Sequence, residues 1–198
     1  MKKIIFFVIV NLSIFGFSQT PILNLRNNVD SALKLPKEIA QNEICIIYEI
    51  GDGWTAYNYL NYYFLDENMN LIAYKEKLPK SYLKNNNLER TVEEISVDQE
   101  LKNKIINLVN SSQLKELLNH SQEEFQIKIE RKKGELPPPP PCMISDSASY
   151  RMTFIQNDKQ NSYGQYAPKY YYEKCTTKTI NKPVLKKFID VIDILLKH

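Results

Sequence analysis

The chain has 198 residues, 43% of them hydrophobic and 25% charged, an ordinary globular composition long enough for one domain with a real core or two small ones packed together. That composition argues against long disordered spans. Its 26 basic and 23 acidic residues leave a formal net charge of +3, too small a surplus for the clustered basic field of a nucleic-acid binder, so no nucleic-acid partner is expected.

Residues 1–18 carry Lys2 and Lys3, an almost unbroken apolar run from Ile4 to Phe17, and small residues where a signal peptidase cuts. The run falls short of the roughly 20 residues a spanning helix needs. It reads as a secretory signal peptide cleaved near Ser18 or Gln19, with no cysteine at its end to take a lipid and no later segment apolar enough to span a membrane. Removing two lysines leaves the mature product close to neutral, and the expectation is a soluble protein of the periplasm or exterior.

Three cysteines in an exported chain leave one odd. Cys45 sits in a run of β-type core residues and reads as a buried thiol. Cys142 and Cys175 lie at the edges of turn-rich segments, and we expect a disulfide between them, stabilising by about 4 kcal/mol on the chain-entropy account. With two histidines and no Cys-x-x-Cys pair, no metal or other cofactor is expected.

In chain order, residues 19–42 form an irregular lead-in, with Val29, Leu33 and Leu35 spaced for a helical turn or two. Residues 43–50 and 55–65 read as strands separated by Gly51 and Gly53, and 71–77 as a third after the Asx-rich turn 66–70. Residues 79–87 look loop-like and 88–97 partly extended. Asp98 is placed to cap a helix carrying Leu101, Ile105, Leu108 and Val109, and a second helical stretch carries Leu114, Leu117 and Leu118. Alternation of Phe125, Ile127 and Ile129 with polar residues suggests a strand over 125–131. Residues 135–142 form a proline-rich strap. Strands follow at 150–156 and 162–166, with 170–175 extended, and Asn181 caps a final helix with Pro183 in its first turn and a core stripe from Val184 to Leu196.

Hairpins followed by helices argue an α+β fold, an antiparallel sheet with helices on one face, over a single domain at 43–198. Similar element order in 43–110 and 125–196 raises a tandem duplication of strand-strand-strand-helix halves.

Few constellations point to chemistry. Ser-x-x-Lys occurs at Ser31/Lys34, Ser81/Lys84 and Ser112/Lys115 without the partner motif of a penicillin-recognising enzyme. Asp66, Asn68 and Asn70 match the first ligands of a calcium loop, but Leu71 stands where its glycine belongs and Lys77 where its glutamate belongs. His120 and His198 have no nucleophile motif beside them. Aromatic residues are the surplus. Alternation puts Tyr57, Tyr59 and Tyr63 on one face and Leu60, Tyr62 and Phe64 on the other, so helices over the second set would leave a tyrosine patch exposed near Trp54. Pro138, Pro139 and Pro140 sit in a stiff polyproline rod that either spans a gap or presents a rigid loop held by the disulfide. The expected function is a non-enzymatic binding module that meets an unknown protein or envelope component through Trp54, Tyr57, Tyr59, Tyr63 and the proline strap. The alternatives are a carboxylate-dependent hydrolase centred on Asp52 or Asp66, a protease-inhibitor-like module presenting the strap, and a structural envelope protein.

Overall fold

The computed structural model describes residues 20–51, 55–83, 87–128, 134 and 142–196. Among these, the β-branched and aromatic runs pair into one antiparallel sheet: β1 (Asn27–Asn28), β2 (Ile44–Gly51), β3 (Tyr57–Leu65), β4 (Leu71–Pro79), β5 (Thr91–Ile95), β6 (Ser149–Gln156) and β7 (Lys159–Tyr166). Their spatial order is β1-β7-β6-β2-β3-β4-β5, so β2 lies at the centre, paired with β3 on one side and β6 on the other. Asn157 and Asp158 close the β6–β7 hairpin at φ 50° and 59°, the left-handed pair that a two-residue turn between twisted strands requires.

The helices are α1 (Gln99–Asn110), α2 (Ser112–Leu118), α3 (Pro168–Glu173) and α4 (Lys182–Leu196). Asp98 caps α1 as expected, its carboxylate accepting from Leu101 N at 2.7 Å, and Ser111 caps α2 by accepting from Leu114 N at 3.1 Å. Leu185 N donates to Asn181 O at 2.9 Å as α4 begins. The apolar stripes of α1, α2 and α4 cover one sheet face: Ile105, Leu108, Leu114, Leu117, Leu185 and Phe188 pack with Ile46, Tyr48, Tyr63, Met152, Phe154 and Tyr163. The α+β arrangement, with helices on one face, is therefore the observed one. Among the described residues, no helix is long and apolar enough to cross a membrane.

The lead-in closes the opposite face. It starts in the helix-side core at Leu23, pairs with the outer edge of β7 as β1, then crosses under the sheet. There Val29, Leu33, Leu35 and Ile39 cover a second core of Cys45, Ile47, Tyr62, Phe64 and Ile155. Gln156 clamps both ends of this strap: its Oε1 accepts from Leu23 N at 2.8 Å and its Nε2 donates to Pro21 O and Asn42 O at 3.2 and 3.1 Å. No helix forms in it, because its backbone is committed to β7 and to turns such as Ala32 N to Asp30 Oδ1, 2.9 Å.

Two further expectations are corrected. Residues 170–175 are not extended: Ala167, at φ 44°, turns the chain and Pro168 opens α3, whose Tyr171 N donates to Ala167 O at 3.1 Å. The expected strand at 125–131 is reduced, among its described residues, to one bridge between Gln126 and Ile180. Phe125 instead ends a 3-10 turn, Gln122–Phe125, capped reciprocally by Ser121 and Glu124, and its ring packs 5.3 Å from that of Phe188. Tandem halves are consequently not seen, since one half contributes four consecutive strands and the other, among the described residues, a single hairpin before its helices.

Candidate functional site

The expected tyrosine surface is only partly a surface. The helices cover the Tyr63 side of β3, so Tyr63 is 8% exposed within the main core and cannot meet a partner directly. Tyr57, half-buried, and Tyr59, 42% exposed, share its face beyond the helices. Trp54, Asp52, His198, the leader and the proline rod with Pro138, Pro139 and Pro140 lie outside the described residues.

Of the two carboxylates named for hydrolysis, Asp66 is the one described, and its oxygens are occupied. Asp66 accepts from Asn68 N at 2.9 Å, Asn70 N at 2.7 Å and Asn70 Nδ2 at 2.9 Å, which builds the β3–β4 turn. Partial burial works to raise its pKa, but those hydrogen bonds outweigh it and hold the carboxyl below its ordinary value. Glu43, buried, grips Lys37 Nζ at 2.7 Å and Ala40 N at 2.9 Å, with the ammonium 4.6 Å from the Phe64 ring centroid. Glu76, 3% exposed, accepts from Tyr62 Oη and Arg90 Nε, each at 2.5 Å, while Arg90 Nη2 also donates to Lys34 O at 3.0 Å. Both carboxylates thus anchor the strap. His120 Nδ1 lies 2.7 Å from Glu124 Oε2. No cluster of three or more metal-ligating side chains occurs among the described residues.

Cys142 and Cys175 form the expected disulfide, with Cα atoms 5.6 Å apart, inside the ordinary span of such bonds. It joins the segment leading into β6 to the end of α3. Tyr166 steadies the same segment, its hydroxyl accepting from Ser147 N at 2.9 Å and donating to Ile144 O at 3.3 Å. Cys45 is free and fully buried beneath the strap, and burial pushes its thiol pKa up, leaving it unreactive while the strap is closed.

Register then singles out one region. On the strap face, successive rows across β2, β6 and β7 run Cys45–Ile155–Gln160, Ile47–Thr153–Ser162, Glu49–Arg151–Gly164 and Gly51–Ser149–Tyr166. The first two β2 positions are apolar and lie beneath the strap, whereas Glu49, Arg151, Gly164, Ser149 and Tyr166 of the last two rows line a concavity of about 600 Å3, a volume ordinary for ligand sites. Its floor is kept low by small residues. An added Cβ at Gly51, at the end of β2 beside the basin, would fall 2.2 Å from Ser149 Oγ and force that hydroxyl to turn away.

Gln122 and Gln126 flank the floor where β7 would expose its edge. The Gln122 amide imitates a paired strand: Gly164 N donates to its Oε1 at 2.6 Å and its Nε2 donates to Gly164 O at 2.9 Å. That blocks this stretch of edge against strand addition. Arg151 crosses the floor, its Nη1 3.5 Å from Glu49 Oε2, a distance beyond a good hydrogen bond. Its side chain is 65% exposed and Glu49's only 17%. The other described arginines are spent on structure, Arg90 on Glu76 and Arg26 on Leu118 O at 3.0 Å. Arg151 therefore presents unused donors to an open polar basin.

The sequence reading missed this site because its residues are single polar positions on three strands, unmarked by any motif. The alternation of Glu49 with Tyr48 and Ile50, and of Arg151 with Met152, was its only trace. A second pocket of about 140 Å3 beside α3 and α4, lined by Tyr150, Pro168, Ile189 and Ile192 among others, is too small for more than a few atoms. No protein-family model matches the chain and no curated protein matches it, so its function is read from the geometry of the Arg151 basin.

Proposed function

We propose that the protein is an exported, non-catalytic binding module that takes a polar ligand in the basin formed by Glu49, Ser149, Arg151, Ser162 and Gly164. The observation that carries this reading is the Arg151 guanidinium, exposed and without a hydrogen-bonded partner, above a floor of hydroxyls and small residues. A guanidinium fork held at a concave site is suited to planar anionic groups. Catalysis is the poorer reading, because Glu49 is the one carboxylate among the described residues lining the basin and glycoside hydrolysis ordinarily uses two that face each other. Export follows from the leader. Cleavage near Ser18 or Gln19 would retain Thr20, which is buried, and the whole strap from Leu23 onward.

The test is nuclear magnetic resonance of the labelled protein against a collection of oligosaccharides and short peptides. Shifts clustered on Ser149, Arg151, Ser162 and Gly164 are expected. Ligands that instead move only Tyr57 and Tyr59 would return the site to the exposed end of β3. N-terminal sequencing of the product recovered from the exporting cell should begin at residue 19 or close to it, and recovery with the leader attached would remove the export half of the proposal.

A further inference from the structure

Resting on that reading of the basin, we infer that its ligand is a carboxylate-bearing saccharide, with Arg151 reading the carboxylate and Glu49 a neighbouring hydroxyl. The floor offers two opposite demands side by side. Arg151 supplies donors and Glu49, 3.5 Å away, supplies acceptors. A ligand satisfying both must carry an anion next to hydroxyl donors, which is the chemistry of a uronic acid. A phosphate dianion suits it less, because Glu49 would repel the second charge and no other cationic side chain lines the basin among the described residues.

The rest of the lining favours sugar over peptide. Ser149, Ser162, Gln126 and Gln165 present hydroxyls and amides beside the rings of Tyr150 and Tyr166, on which a sugar ring can lie, and no aliphatic side chain is among the described lining residues. Peptides that bind a sheet commonly add a strand to its edge. Here the β7 edge is already taken, by β1 at Gln160 and Lys159 and by the Gln122 amide at Gly164. Ring hydroxyls need no strand edge and pair well with planar amide and guanidinium groups.

The experiment is calorimetric titration of the purified protein with galacturonate and mannuronate trimers, their methyl esters, a neutral maltotriose and trialanine. Binding of a uronate trimer at least tenfold tighter than its methyl ester is expected, with a similar tenfold loss in Arg151→Gln and partial retention in Arg151→Lys, which keeps the charge but not the fork. Thermal unfolding of Arg151→Gln should match the parent, since the side chain is mostly exposed. Equal binding of acid and ester would overturn the inference while leaving a polar binding site in place. Binding of trialanine in preference to every saccharide, lost in Arg151→Gln, would overturn the sugar assignment and keep the basin. Silence from all probes would take down both the inference and the reading beneath it.

Discussion

The two faces of the sheet are closed by different physics. On the helix side, α1, α2 and α4 bury a continuous apolar layer around Phe154, Phe188 and Tyr163, and the driving force is area removed from water. On the other side there is no helix but a strap of extended chain, which buries a smaller apolar core and is tied down by two buried carboxylates, Glu43 to Lys37 and Glu76 to Arg90 and Tyr62. Apolar burial works without direction, whereas charged anchors demand placed partners. A cover built on such anchors can be short, and it stops after two rows, leaving the Glu49–Arg151 row outside it with the Arg151 side chain exposed.

The sharpest way to test this contrast is to break each face separately. Phe188→Ala should cost about 3–5 kcal/mol in urea unfolding, because the ring is fully buried against Phe125 and Tyr163. Glu76→Ala should cost about 3 kcal/mol by leaving Arg90 and the Tyr62 hydroxyl without their acceptor. A distinguishing readout accompanies it: Cys45, sealed beneath the strap, should react with a thiol reagent faster in Glu76→Ala than overall unfolding allows. A loss below about 0.5 kcal/mol, as for an ordinary surface change, would mean that apolar contact alone holds the strap.

Alkaline titration tests the helix face more gently. Burial pushes the Tyr163 hydroxyl up to about 12 from 10.0, against the hydrogen bond from Asn161 that works to lower it. A pKa raised in the folded state favours the protonated form, so this contribution is whole below pH 10.0 and lost as pH climbs through about 12. The urea midpoint should fall over that window, and less steeply in Tyr163→Phe. The smallest effect on stability belongs to Arg151→Gln, within about 0.5 kcal/mol, which would separate a residue kept for binding from the arginines kept for structure.

Much of the frame was legible in the chain. Asp98 and the α4 stripe obey local rules of capping and period, and the strands 43–50 and 150–156 were marked by β-branched and aromatic content with turns beside them. The disulfide followed from two cysteines at turn-rich edges and a third in a strand. The errors share a cause. At 125–128, the described part of the expected strand, alternation imitated a strand, but Phe125 was claimed by the helix-side core and by a capped turn. At 170–175 a tyrosine run with high strand propensity became α3, because Pro168 and the left-handed Ala167 set the backbone first.

What the amino-acid order determined unaided is everything that repeats over a few residues: which side chains alternate, where helices begin, which strands can form a hairpin. Tertiary structure decided which face of β3 the helices took, and with it the burial of Tyr63, because period-two alternation sorts residues into two sets without saying what will cover either. It also decided that Glu43 and Glu76 would anchor a strap while Arg151 kept only a long, exposed ion pair with Glu49. Every charged side chain looks alike in sequence, and its role is set by partners brought near only when the chain closes on itself.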